Sequence, residues 1–207
     1  QPILQDMALS TDTPRLRELA TLAGSIVTAH GSSSVTTALI ALDAEAEIAN
    51  LTGSQWLPVR SLLIRPGSGR VNSMSEILVA LRVRVPEPGA GAALVRMETA
   101  SGDRDESSVI AVSLGLDGAR NLISWLWLVL GTESAKPAIC HLADLADVTP
   151  PTVESVRRAA SQWVGARTSQ ACSSNTPAPP RSAATYAQRA FDTALERARS
   201  SMANGML

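Results

Sequence analysis

Residues 21–45 read TLAGSIVTAHGSSSVTTALIALDAE. A small-residue turn runs without a break into an apolar segment that closes on Ala41, Leu42, Asp43 and Ala44. Ala23, Gly24 and Ser25 let a main chain approach an anion closely, and Thr21 and Ser25 add hydroxyl donors. A helix entered just afterwards points free N–H groups in the same direction. That is the order of parts a phosphate cradle needs. The same residues also make a turn that only connects and caps helices, since Gly, Ser and Thr are the usual residues of such turns.

On the N-terminal side of this segment, 13–22 predicts a short helix with Thr11 or Asp12 as cap and Pro14 in its first turn. On the other side the apolar residues of 34–42 read as a helix, 45–50 alternates as a strand, and Thr52, Gly53 and Ser54 turn the chain into a return strand near 55–59. Pro58 places that strand at an edge. A further short element starts at 61–64, and 66–72 is a loop. In 76–85, Ile77, Val79, Leu81, Val83 and Val85 alternate with Leu78, Ala80, Arg82 and Arg84, which predicts a strand with one buried face.

The run PEPGAG at 86–91 is rich in turn residues and marks a hinge. Beyond it, strands at 93–98, 109–116 and 122–130 predict a three-stranded antiparallel meander, with a polar loop at 99–107 and a turn at Asp117 and Gly118. Trp125 and Trp127 fall on one face of the last strand, as core or subunit contacts. A helix over 147–165 takes Thr149 as cap and places Val153, Val156, Ala160, Trp163 and Val164 at helical spacing. The Ser/Pro-rich segment 173–182 is expected to be exposed and mobile. A last helix from Ala183 to about Ser200 gathers Tyr186, Ala190, Phe191, Ala194 and Leu195 on one face. The fold class is α+β. A first module spans 1–86, a hinge 87–91, a second module 92–200 and a tail 201–207.

Composition narrows the function. The chain has 207 residues, 45% apolar, which is enough to bury a core. Its net charge of −1 offers no basic stripe for nucleic acid. With one tyrosine, one phenylalanine and four tryptophans, base-stacking platforms are also not expected. Cys140 and Cys172 are too few for an iron–sulfur or zinc signature and read as two free, partly buried thiols. His30 and His141 form no metal-ligand spacing, so no metal site is expected. The most apolar run, 122–130, is nine residues long against the roughly 20 that span a bilayer. Nothing at the N-terminus has the pattern of a secretory signal, which points to the cytoplasm. No Ser–His–Asp order or carboxylate pair suggests hydrolytic chemistry. The acidic and basic residues Asp103, Arg104, Asp105 and Glu106 read as a solvated hairpin tip.

Aligned without a gap, 21–45 resembles the T-x-G-G-N/S-x-x-x-x-x-P-x-x-D segment, closing on L-L-A-L-D-A, of the FAD-binding medium subunit of molybdenum hydroxylases, the carbon monoxide dehydrogenase and xanthine dehydrogenase type. Three later stretches resemble the same family in the same order: LIRPGSGRVNSMSEIL at 63–78, VIAVSLGLDG at 109–118 and PRSAATYAQRAFDTALER at 180–197. The four landmarks cover roughly residues 10–199. The resemblance implies an α+β FAD-binding subdomain followed by a flavoprotein C-terminal domain. It implies an electron-transfer component of an oxidoreductase complex, in which FAD passes electrons from [2Fe-2S] clusters to an external acceptor. Molybdopterin and the clusters would reside on a large and a small partner subunit.

For the site, the resemblance implies that Thr21, Ala23, Gly24 and Ser25 face the flavin's pyrophosphate and that Ser34 faces its ribityl chain. Arg96 sits where the family often has a lysine near the flavin. Several positions depart from the family's pattern. Ala23 replaces the first glycine of the pair, a strain of about 1 kcal/mol if the turn needs positive φ there. Ser34 replaces an acid, Gly31 replaces a proline, and Arg104 falls where an Asp is expected. The family also carries a further FAD subdomain before this region, and this chain opens at Gln1 without it. The start suggests a trimmed, split or partly represented protein, with a separate chain as one source of that subdomain, or a structural or assembly relative that has given up FAD. A stand-alone flavin reductase is a third reading, but no G-x-G-x-x-G follows a strand.

Overall fold

The computed structural model describes residues 2–10, 14–28, 30–65, 68–97, 108–133, 135–145, 148–171 and 183–204. Its centre is a four-stranded antiparallel sheet in the order β6 (Ala90–Met97), β7 (Ser108–Asp117), β8 (Leu122–Thr132), β9 (Ala135–His141). Successive side chains leave a strand on opposite faces. In β7, Ile110, Val112 and Leu114 join one core cluster while Val109 and Ala111 join another. Both faces of the sheet are covered over most of its length, so 122–130 is apolar except at Ser124, and Ser124 and Trp125 are exposed.

Helices α5 (Val153–Ala171) and α6 (Ala183–Asn204) cover the first face. Val156, Ala160 and Val164 of α5 and Ala190, Phe191 and Ala194 of α6 are buried there, so the stripes expected from the sequence are the packed ones. Small residues let α6 lie close to the sheet. A Cβ at Gly91 would collide with the backbone carbonyl of Ala194 and lie 2.6 Å from the backbone nitrogen of Ala198. The opposite face carries α1 (Pro2–Ser10) and α4 (Ser34–Ala41), with Ile3, Leu39 and Ile40 packed in one cluster with Leu94, Val109 and Val129. That cluster takes residues from both sides of the PEPGAG segment.

The rest of the first module is a sheet of β1 (Glu45–Asn50), β2 (Gly53–Pro58) and β5 (Ile77–Arg82) in the order β2-β1-β5, and a small hairpin of β3 (Leu63–Arg65) and β4 (Ser68–Gly69). Pro58 lies on an edge strand, as expected. Two short helices, α2 (Pro14–Leu19) and α3 (Leu22–Val27), lead into α4.

The α+β class and both antiparallel sheets match the expectation, and several particulars differ. A fourth strand, β9, extends the meander; Pro137 lies within it, and β9 is an edge, where a missing N–H is tolerated. α1 was not expected. In β5 the phase changes: a bulge opposite Glu47 and Ile48 leaves Val79 unpaired, so Ile77 and Val79 are 65% and 58% exposed, while Leu78 and Leu81 pack on the core. The cap of α5 is Thr152, whose Oγ1 accepts the Ser155 N–H at 3.2 Å, not Thr149, because the helix starts at Val153. The expected cap at Thr11 or Asp12, the loop with Arg104, Cys172 and all of 173–182 fall outside the described residues.

Candidate functional site

Ser34 opens α4 and is 3% exposed. Ser33 is the N-cap, and its side chain accepts the N–H of Thr36. The preceding residues are small enough for the first turn to sit against the sheet, and Ser32 is tied down by its hydroxyl, which donates to the Glu133 carboxylate at the end of β8. Arg96, near the end of β6, donates from Nη2 to Ser34 Oγ at 3.2 Å. Two positions 62 residues apart are therefore brought together. Arg96 is permanently charged and partly buried, and it stands at the positive end of an eight-residue helix. Deeper in the same turn, the hydroxyls of Thr36 and Thr37 are fully buried and have no hydrogen-bond partner among the described residues. Cation, helix end and hydroxyls together form a locally positive patch suited to an electron-rich or anionic group.

Thr21, Ala23, Gly24 and Ser25 lie elsewhere on the element path. They are not an open loop: Thr21 is the N-cap of α3, and the other three are helical. Thr21 Oγ1 accepts the Gly24 N–H at 3.0 Å. The Thr21 carbonyl accepts both the N–H of Ser25, at 3.0 Å, and its hydroxyl, at 3.1 Å. Ala23 is not among the positive-φ residues, so the strain expected there is absent. The segment still presents a surface without bulk, since Thr21 and Gly24 are exposed and Ala23 is half-buried. Its donors are mostly engaged with one another. Ile26, fully buried, anchors this helix beside α4.

For an FAD, the two groups of residues fit unequally. Ser34 and Arg96, with the orphaned hydroxyls of Thr36 and Thr37 behind them, offer charge and donors that complement a flavin. Thr21–Ser25 offers close approach, the Thr21 hydroxyl proton and the first backbone N–H groups of α3, at Leu22 and Ala23, which have no acceptor within the helix. The Ser32–Glu133 contact and the buried threonines were not foreseen, because the first depends on a pairing across 101 residues and the second on which helix face is inward.

A separate cavity of about 380 Å³ opens beyond the C-terminal end of α4, and none of the six residues above lines it. Elsewhere the chemistry is sparse: among the described residues no group of His, Cys, Asp and Glu is placed to hold a metal ion. Among them, too, no helix is long and apolar enough to cross a membrane. Cys140 is fully buried, and burial pushes its thiol up to about 11, with Asp144 adding to the rise, so it is not a nucleophile at neutral pH.

Residues 1–88 match the family model described as the FAD binding domain in molybdopterin dehydrogenase. A comparison with curated proteins finds no match. Among solved structures, a chain of reconstituted CO dehydrogenase from Oligotropha carboxidovorans is similar with a TM-score of 0.68 at 19% identity, over 96% of this chain and 68% of that one. A chain of carbon monoxide dehydrogenase from Hydrogenophaga pseudoflava gives 0.70 at 19% identity, over 95% and 70%. A chain of quinoline 2-oxidoreductase from Pseudomonas putida 86 gives 0.68 at 15%, over 97% and 68%. The resemblance read from the four sequence landmarks is borne out, and it extends to the fold of almost the whole chain.

Proposed function

We propose that this chain, which resembles the FAD-binding subunits of molybdenum hydroxylases, holds FAD and serves as the electron-transfer component between [2Fe-2S] clusters and an external acceptor. The match of residues 1–88 to an FAD-binding domain family is the observation that carries the reading. The Ser34–Arg96 pair supports it. When bound, FAD supplies the ability to take up two electrons and release them to an acceptor.

The chain's own residues contribute binding and electrostatics. Arg96 and the start of α4 would together supply positive charge to a bound flavin, with the helix dipole in the same sense. Ser34 orients the guanidinium by accepting its N–H and keeps its own hydroxyl proton to donate. Thr21, Ala23, Gly24 and Ser25 form the low-relief surface against which the diphosphate lies. The partners are a molybdopterin-binding large subunit and a [2Fe-2S] small subunit, in the cytoplasm.

A second reading is favoured by one observation: the polar groups of Thr21, Gly24 and Ser25 largely satisfy one another. Under it the chain is a structural or assembly relative that has lost FAD. Calorimetric titration of the chain with FAD separates the two. Binding at micromolar Kd or tighter, about −8 kcal/mol, excludes the purely structural role. For the complex, a visible spectrum without flavin bands, at full occupancy of the other centres, excludes the flavoprotein role.

A further inference from the structure

The cavity beyond α4 has a wall that its neighbours hold open. Trp125 and Trp127 project from the same face of β8, opposite Gly115 and Ser113 of β7. The Trp125 indole closes over Gly115, where a Cβ would overlap its Nε1, so it packs against backbone and not against a side chain. Trp127 is fixed by an edge contact with His141, with ring centroids 4.2 Å apart, and by the Arg60 guanidinium 5.3 Å from its centroid. Beside them in the same sheet the lining is small, from Ala90, Gly91 and Ala92 of β6.

Its polar groups are mixed and balanced. Arg84 and Glu87, on the exposed segment after β5, both line it and form no ion pair among the described residues. Asp43 also lines it, but is neutralised by its bridge to Arg60. Ser113 is 5% exposed, and its hydroxyl has no hydrogen-bond partner among the described residues. The volume falls in the range of roughly 300–1,000 Å³ typical of small-molecule sites. Two fixed indoles select a flat π-system. One cation and one anion at the mouth select a ligand without net charge that both donates and accepts.

We propose that this cavity binds a neutral planar heteroaromatic of one or two rings, distinct from the cofactor site at the other end of α4. The helix separates the two by about 12 Å, at 1.5 Å per residue over eight residues. The ring lies against Trp125 and Trp127, with Ser113, Arg84 and Glu87 taking its polar edge.

The test is calorimetry and ligand-detected NMR on the full chain with indazole as probe, benzoate as a charged comparator and cyclohexanol as a non-planar one. Indazole is expected to saturate below about 1 mM and to bind at least about tenfold more tightly than either comparator. Trp125→Ala, and separately Arg84→Ala with Glu87→Ala, are expected to weaken it at least about tenfold at unchanged circular dichroism and melting temperature. All three positions are exposed enough to be replaced without loss of fold. Affinity for indazole should be the same with and without saturating FAD. Equal affinity for the comparators, no effect of either variant, or competition by FAD would overturn the proposal. Competition would make the cavity the adenine end of the cofactor site, whereas failure of FAD to bind leaves the indazole result unaffected.

Discussion

At the scale of single residues, the Arg96–Ser34 pair is the contact that supports the proposed FAD site. A hydrogen bond to a charged group contributes about 1.5–3 kcal/mol, and here it fixes a cation at a helix start. Arg96→Ala is expected to weaken FAD binding at least about tenfold by calorimetry, with Arg96→Lys retaining part of it; an unchanged Kd removes Arg96 from the site. Cys140 gives a pH signature of its own. Its thiol stays protonated in the folded protein up to about 11, against 9.0 for an ordinary thiol. Below 9.0 both states hold the proton and the full stability is present. Between 9.0 and about 11 the unfolded chain releases it first, so stability falls by up to about 1.4 kcal/mol per pH unit. Urea melts over that interval should fall more steeply for the wild type than for Cys140→Ala; parallel curves would count against a buried thiol. These roles were legible in the sequence to different degrees. Ser34 and Arg96 were found through their place in a family pattern, while the burial of Cys140 depends on the strand next to it.

At the scale of elements, the close approach of β6 to α6 rests on Gly91. Gly91→Ala places a methyl group against helix backbone, which cannot rotate away, and is expected to cost about 3 kcal/mol in chemical denaturation. A melting curve matching the wild type would mean that the helix slides at little cost. β5 provides the opposite case. Alternation assigned Ile77 and Val79 to the core, and the bulge opposite Glu47 and Ile48 turns them outward. Val79→Thr is therefore expected to change stability by less than about 0.5 kcal/mol, and a loss of several times that would restore the simple alternation. Helix faces were legible because a period of 3.6 is set by the backbone within one segment. The phase of β5 was not, because a bulge is a relation between two strands.

At the scale of the whole molecule, an ionic network adds to the apolar packing of Ile3 and Met7 in holding α1 to the rest. Arg197 of α6 pairs with Asp6 of α1 through two contacts, one of 2.9 Å from Nη2, and also donates to the Ala92 carbonyl of β6 at 2.8 Å. Asp6 in turn accepts the Leu94 N–H at 3.4 Å. The side chains are 27% and 23% exposed, so solvent screens the pair only in part. Arg197→Ala is expected to cost about 3 kcal/mol, by leaving Asp6 with its charge and without its partner. Replacing both, as Asp6→Leu with Arg197→Met, should cost less than the sum of the single changes. An additive double variant would show that the two charges do not interact. The sequence by itself determined the α+β class, most of the strands and helices of both modules and the family likeness, because these follow from local periodicity and from residues close together in the chain. Only the tertiary structure decided that Ser34 meets Arg96 and that two tryptophans frame a cavity. Each of these depends on which distant segments share a sheet face, and that is fixed by packing the whole chain at once.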